Sequence, residues 1–324
     1  MDINVFLLNN GKHLERSSLS DFVTSSIAHE RSQFPFWVDC TGPDSTSLSK
    51  LFSPLHLHPL VLEGCLEPAT GVSIAPFEES LFIKIPLHLT WDSSTLIFLT
   101  IVVLPHAVIT VHETAIPILE RMATEYSHAA RFRMGGTSAI LYQILDHVVD
   151  EDMVFALEAR RAIDTLEETM DQEEESVEVD DILILKRRIS RLTATLEDQR
   201  YGVSSLQSVA SDAFDPTAFR EYFRDTFAHL DSTVRSLGRQ QTHLSELHQH
   251  HLLTLQDKTN NRLKLLTIIS GVFLPLMLIV SLYGMNFKYM PELQWRYGYP
   301  LVLTIMATIA GGLLWMFYKK GWFK

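Results

Sequence analysis

A chain of 324 residues has room for about two domains, and its hydrophobic fraction of 46% conceals two populations, because the apolar residues concentrate near the C-terminus. The formal charge of −12 is equally local: residues 150–181 carry fourteen acids against Arg160 and Arg161, and the rest of the chain is balanced. That distribution excludes the basic surface a nucleic-acid binder needs.

Met1-Asp2-Ile3-Asn4 lacks a basic region followed by an apolar core and a small-residue cleavage site, so no signal peptide is expected and the bulk of the chain stays where it is made. Cys40 and Cys65 fit no CxxC or Cys/His spacing, which predicts reduced, structural thiols.

From the N-terminus to about residue 126 the pattern is mixed. Phe36-Trp37-Val38-Asp39, Ser80 to Ile85, Leu96 to Val103 and Ala107 to His112 are short runs of β-branched and aromatic residues bounded by Pro, Asp or Gly, and they read as strands. Ser45 to Phe52, His58 to Leu66 and Ala115 to Tyr126 read as short helices, with Pro117 tolerable in a first turn. Hairpin-like strands with helices to the side predict an α+β sandwich with a largely antiparallel sheet. His56, His58, His88, His106 and His112 match no standard zinc spacing and are read as core or surface histidines. His112-Glu113 has no nucleophile or further acid beside it in sequence, so an enzyme has little support.

Gly135-Gly136 marks a break, after which Thr137 to about Glu175 and Val179 to Leu206 repeat apolar residues at three and four. These predict a helical hairpin whose acidic tip is either a solvated turn or a cation-attracting surface. Asp215-Pro216 is a good helix start, and no turn cluster interrupts the chain before Pro275. A continuous helix to Tyr283 would span about 100 Å. Phe223, Phe227, Leu230, Val234, Leu237, Gln241, Leu244, His248, His251 and Leu255 fall at alternating steps of three and four along it, the pattern of a coiled-coil seam that a parallel bundle of identical copies would bury.

Two uncharged runs follow, Leu265 to Tyr283 and Tyr299 to Phe317. Each is about 28 Å long as a helix, close to the ~30 Å hydrocarbon core of a bilayer, and neither has a polar face. They read as a membrane hairpin. Arg262 and Lys264 precede the first span and Lys319, Lys320 and Lys324 follow the second, which places both ends on the cytoplasmic side of a cytoplasmic (inner) membrane. The expected order is a cytoplasmic α/β domain over 1–134, a helical hairpin over 135–215, a stalk over 216–264, a first transmembrane helix over 265–283, an external loop over 284–298, a second transmembrane helix over 299–318 and a basic tail over 319–324.

The stretch Tyr283-Gly284-Met285-Asn286-Phe287, with Met290-Pro291-Glu292-Leu293 after it and Phe273-Leu274-Pro275-Leu276 before it, closely resembles the signature of the CorA family of magnesium channels. The match runs back through Lys258-Thr259-Asn260 and Tyr222-Phe223-Arg224-Asp225, and more weakly through Trp37-Val38-Asp39 and Val111-His112-Glu113. The resemblance implies a homopentamer with a cytoplasmic funnel, whose first transmembrane helices line a pore and whose Gly284, Met285 and Asn286 form the outer selectivity ring. Neutral oxygen acceptors at a helix C-terminus suit an ion that keeps its first-shell waters. The loop residues Met290, Pro291 and Glu292 belong to the same outer mouth, and Lys319 and Lys320 to the inner one.

Counting back from Asn286 at helical spacing gives Ser281, Met277, Leu274, Ser270, Leu266 or Thr267, and Leu263 as the pore-lining face. Met277 stands at a level where better-known members of the family carry a hydroxyl. Asp225 is the matched regulatory acid, while Ala228-His229 and Gln249 replace further acids of the family's pattern. Glu246, His248, His250 and His251 lie nearby in sequence, and imidazole suits zinc better than magnesium. The expected function is therefore a channel-like transporter of hydrated Mg²⁺, gated by the cytoplasmic part, with Asp225, Glu246, His248 and His251 as candidate regulatory metal residues. A transporter of zinc or mixed divalent ions (Zn²⁺, Co²⁺, Ni²⁺), with or without proton coupling, is the alternative. A non-conducting membrane-anchored structural or signalling protein is the second alternative.

Overall fold

The computed structural model describes residues 1–9, 12–27, 35–68, 71–128, 130–132, 135–172, 177–209, 219–286, 288 and 290–323, with the side chains of 25–27, 292 and 293 outside that description. The chain divides into two compact units, Met1–Leu247 and His248–Lys324.

The first unit is built on a seven-stranded sheet in the order β2-β1-β3-β7-β6-β5-β4. Its strands are β1 Asp2–Asn9, β2 His13–Ser17, β3 Phe36–Thr41, β4 Ser73–Pro76, β5 Leu81–Leu87, β6 Ile97–Val103 and β7 Ala107–His112. Every pairing among these strands is antiparallel except β3 with β7, which is parallel. The largely antiparallel sheet is thus as expected, and β1, β2 and the short β4 join it at positions the sequence pattern left unassigned.

Side chains alternate across the pleat. Trp37, Leu81, Ile83, Ile101, Val103 and Val108 face a core shared with α4 Pro117–His128 and α5 Thr137–Gln172. Phe36, Val38, Phe82, Val102, Ile109 and Val111 face a second core, shared with α1 Leu19–Ile27, α2 Ser45–Phe52 and α3 Pro59–Leu66. With both faces covered, the central strands read as continuous apolar runs rather than alternating ones. Asp44 caps α2 through Ser47 N–H at 2.8 Å, and this bond holds the Asp44 carboxyl below the usual range. Gly136 adopts φ +100° one residue before α5, a conformation that favours glycine. Cys40 and Cys65 are free and buried, and desolvation pushes the Cys65 thiol up to about 12.

Buried polar groups inside the sheet layer find partners there. Lys84 on β5 is 7% exposed and donates to the carbonyls of Gly64 (2.7 Å) and Glu67 (2.8 Å) at the end of α3, and burial lowers its pKa. Across the parallel β3/β7 pair, the Thr110 hydroxyl accepts from Trp37 Nε1–H (3.1 Å) and donates to Asp39 Oδ1 (2.5 Å). Asp39 Oδ1 also lies 2.9 Å from His112 Nε2, and His112 Nδ1 lies 2.7 Å from the Thr114 carbonyl. The His112-Glu113 motif therefore spends its imidazole on a strand-to-strand brace.

Two long helices, α5 and α6 (Val179–Leu206), pack together with the N-terminal part of α7 (Arg220–Tyr283) around a third core. Leu230, Val234, Leu237 and Leu244 of the expected seam are buried there, and Phe223 is buried in the sheet-side core. That part of the seam is consequently buried by the chain's own helices rather than by identical copies, because an apolar stripe specifies burial but not its partner. The Asp215-Pro216 start and part of the acidic tip lie outside the described residues; within them α7 begins at Arg220.

In the second unit, the C-terminal part of α7 packs against α8 (Gly298–Lys319) through Ile268, Val272 and Phe317, with Leu276, Ala310, Leu313 and Trp322 around them. Both helices are long and apolar enough to cross a membrane. Replacing Asp39 by Ala removes the acceptor of both Thr110 and His112, so urea unfolding of the purified protein, followed by circular dichroism, is expected to show a loss of about 1–3 kcal/mol. A change below about 0.5 kcal/mol would mean that the brace contributes nothing.

Candidate functional site

The candidate residues lie on α7 and on the turn after it. At about 100° per residue, Ile268, Gly271, Val272 and Leu276 share the face of α7 that packs on α8. Gly271 is a close approach: a Cβ there would come within 3.1 Å of Phe317 Cζ. Leu263, Leu266, Ser270, Leu274, Met277 and Ser281 centre on roughly the opposite face. Within the chain this face is uncovered, with Leu263 54%, Leu266 60%, Leu274 66% and Met277 66% exposed, Ser281 exposed and Ser270 half-buried. Pro275 interrupts the helical ladder beside it, since it has no N–H to offer the Gly271 carbonyl.

The stripe leads to Gly284-Met285-Asn286. Gly284 N–H donates to the Val280 carbonyl at 2.9 Å and Met285 N–H to the Leu282 carbonyl at 3.3 Å, so the chain wraps tightly as the helix ends. A Cβ on residue 284 would sit 3.3 Å from the Val280 carbonyl oxygen and 3.6 Å from that of Ser281, which is why glycine suits the position. Gly284, Met285 and Asn286 are all exposed. Carbonyls of a last helical turn carry partial negative charge, which suits a cation approaching this end.

Met290 is half-buried and leads into a 3₁₀ turn, Pro291–Gln294; the side chain of Glu292 lies outside the described residues. Exposed Trp295, Tyr297 and Tyr299 gather at this end of the hairpin, and Trp295 and Tyr297 meet edge to face at 6.1 Å. At the other end, Trp315 and Tyr318 are exposed and Lys319 Nζ lies 5.4 Å above the Trp315 ring, with Lys320 next as the C-cap of α8. Amphipathic rings at both ends of an apolar helix pair match the pattern of the aromatic belts that membrane proteins place at bilayer interfaces. The sequence reading rested on apolar run length and cations alone, although these aromatics were visible in it.

Of the four candidate regulatory residues, Asp225 and Glu246 belong to the first unit and His248 and His251 to the second. Asp225 lies 3.8 Å from His229 and lines a cleft of about 680 Å³ in the first unit. Glu246, His248 and His251 are about six to seven helical turns further along α7. Glu246 is exposed, His248 half-buried and His251 buried. Among the described residues, no group of three or more His, Cys, Asp and Glu is placed to hold a metal ion.

The cleft around Asp225 is also lined by Arg121, Glu125, Asp146, His147, Asp150, Glu151 and His229. Arg121 pairs with Glu151, and His147 lies 3.4 Å from Glu125. Burial first, and then the charge of Asp150, holds the Asp146 carboxyl above its usual range. Burial, and next Asp146, likewise raises the Tyr142 hydroxyl. Asp146 went unnoticed because nothing in a helical repeat says that it will face residue 225, some eighty positions later.

Residues 33–319 match the family model described as CorA-like Mg²⁺ transporter protein. The chain belongs to the CorA family. A cobalt/magnesium transport protein CorA of Thermotoga maritima is 29% identical over 330 residues, covering 99% of this chain and 93% of that protein. The complete structure of the CorA magnesium transporter from Methanocaldococcus jannaschii superposes with a TM-score of 0.78 at 21% identity, over 99% of both chains. The full-length CmaX protein superposes at 0.80 with 17% identity, over 98% of this chain and 96% of that one. The CorA fold is thereby shared along the whole chain, and membership of CorA places the protein among divalent-cation transporters rather than enzymes.

The contact between the two apolar helices is testable. Gly271→Ala must push Phe317 aside, whereas in a Phe317→Ala background the same change meets open space. Thermal unfolding in detergent should give a coupling between the two sites of about 0.5–3 kcal/mol in a double-mutant cycle. Simple additivity would show that the contact does not form.

Proposed function

We propose that the chain assembles as a homopentamer in the cytoplasmic membrane, with both termini in the cytoplasm, and conducts hydrated Mg²⁺ along the stripe from Leu263 to Ser281. The observation that carries this reading is that the face of α7 opposite α8 is uncovered and ends at Gly284-Met285-Asn286. Five copies would bring five Asn286 side-chain carbonyls and the last-turn carbonyls of α7 around one axis. Mg²⁺ gives up its first-shell waters reluctantly, and such a ring offers acceptors to those waters without stripping them. Leu263, Leu266 and Leu274 would form apolar constrictions that block ions when dewetted, with Ser270 as a hydroxyl step between Leu266 and Leu274 and Ser281 as another between Leu274 and the Gly284 end.

Asp225, with Asp146 in the same cleft, serves in this reading as the cytoplasmic cation sensor. A dication there neutralises carboxylates that repel one another and favours whichever state holds it more tightly. The placement of Asp225 beside other carboxylates supports this role better than the isolated position of Glu246, His248 and His251. Those three support the second reading, transport of Zn²⁺ or mixed divalent ions, because imidazole is a better zinc than magnesium ligand.

Flux into proteoliposomes tests the pore. Asn286→Ala is expected to reduce Mg²⁺ uptake at least about tenfold, since it removes the acceptor ring while leaving both helices intact. Unchanged uptake would sink the filter assignment, and Zn²⁺ uptake without Mg²⁺ uptake would favour the second reading. Asp225→Asn should weaken inhibition by Mg²⁺ on the cytoplasmic side about five- to one-hundred-fold, with little change in uptake at low internal Mg²⁺. An unaltered inhibition curve would remove Asp225 from the sensor.

A further inference from the structure

The core where α5, α6 and α7 meet contains a carboxyl group that no transport step uses. Asp152 on α5 is 3% exposed, and its neighbours in that core include Phe155, Ala156 and Ala159. Two glutamines accompany it from the other helices: Gln199 of α6, 2% exposed, and Gln240 of α7, 9% exposed. The Gln199 amide donates to the Pro86 carbonyl (2.9 Å) and reaches the Asp152 carboxyl, while the Gln240 amide donates to the Ala156 carbonyl (3.2 Å), one turn beyond Asp152. What remains is a surplus of acceptors: Asp152 Oδ2, Gln199 Oε1 and Gln240 Oε1 are all buried without a hydrogen-bond partner. Each unpaired buried acceptor carries an uncompensated desolvation cost, and an ionised carboxylate among apolar side chains carries a larger one. A single proton reduces the surplus from three to one, because a neutral carboxylic acid has one O–H, which makes Oδ2 a donor to one of the two glutamine oxygens.

We propose that Asp152 is a proton-binding site: at neutral pH it holds a proton and donates it to one glutamine oxygen of a neighbouring helix, and so ties α5 to that helix. Burial raises the Asp152 carboxyl well above the ordinary carboxylate range; Gln199 opposes this and the adjacent Glu151 adds to it. Around the group, Glu151 is the charged neighbour on α5 itself and is paired with Arg121, whereas α6 and α7 present the neutral Gln199 and Gln240. His88 bonds Thr195 one turn before Gln199, and burial lowers its pKa, so it stays neutral on that side. Because the folded protein holds this proton more tightly than the unfolded chain, the contribution to stability is full at low pH. It declines as pH rises from about 4 toward the folded pKa, the reverse of an ion-paired aspartate. Gln240 sits on the helix that ends at Gly284, so an effect on flux would rest on the transport reading above; the proton itself does not.

Infrared difference spectroscopy on the full-length protein tests the assignment. Wild type minus Asp152→Asn at neutral pH is expected to show the C=O stretch of one protonated carboxylic acid, giving way to carboxylate bands as the buffer is made alkaline. Carboxylate bands at neutral pH, as for an ion solvated by internal water, would overturn it. Thermal stability between about pH 5 and pH 9 provides the second readout. The wild type should lose stability across this range more steeply than Asp152→Asn, the other raised carboxyl, Asp146, being common to both. Parallel curves would count against the site. If Asn is not tolerated, isotope-labelled aspartate in an Asp146→Asn background supplies the same band, and its absence at neutral pH ends the proposal. A normal proton signal with unchanged flux in Asp152→Asn would leave the site standing and separate it from transport.

Discussion

Hydrocarbon has no water to pair backbone N–H and C=O groups, so a chain that crosses a bilayer must satisfy them within itself. In α7 this requirement extends into a single 64-residue helix. Its N-terminal part packs in a soluble core with α5 and α6, and its C-terminal part packs on α8. Pro275 removes one hydrogen bond from the helical ladder inside the apolar run.

The sheet provides the anchor. Because its two faces are both covered, the central strands are dominated by Val, Ile, Leu and Phe, and their few polar groups must find partners inside. Lys84 finds two carbonyls, and Asp39, Thr110, His112 and Trp37 find one another. The core of the long helices is different, since Asp152, Gln199 and Gln240 retain unpaired oxygens.

Much of the architecture was legible because it rests on local periodicity. The strand Ala107–His112 and the helices Ser45–Phe52 and Val179–Leu206 have the bounds their residue patterns indicate. Strands β1, β2 and β4 were not legible. Ser73–Pro76 is four residues long and owes its conformation to pairing with β5, which is a property of the sheet and not of the segment. The seam on α7 was legible, but for Leu230, Val234, Leu237 and Leu244 its partner was not, since these side chains would be as well buried by a second copy as by α5 and α6.

The same division holds at the functional residues. The uncharged runs, their flanking cations and Gly284-Met285-Asn286 are statements of composition and order, so the sequence by itself determined the membrane hairpin and the motif at its turn. The orientation of the Leu263 to Ser281 stripe away from α8 also followed from helical spacing, once it was known which residues α8 covers. Only the tertiary structure decided that Phe317 meets Gly271, that Asp146 shares a cleft with Asp225, that Gln199 reaches Asp152 and that Gln240 bonds the Ala156 carbonyl. The physical reason is distance along the chain. Periodicity tells each residue which face of its own helix it occupies, but the element that comes to lie against that face is selected by how all the apolar faces are buried together.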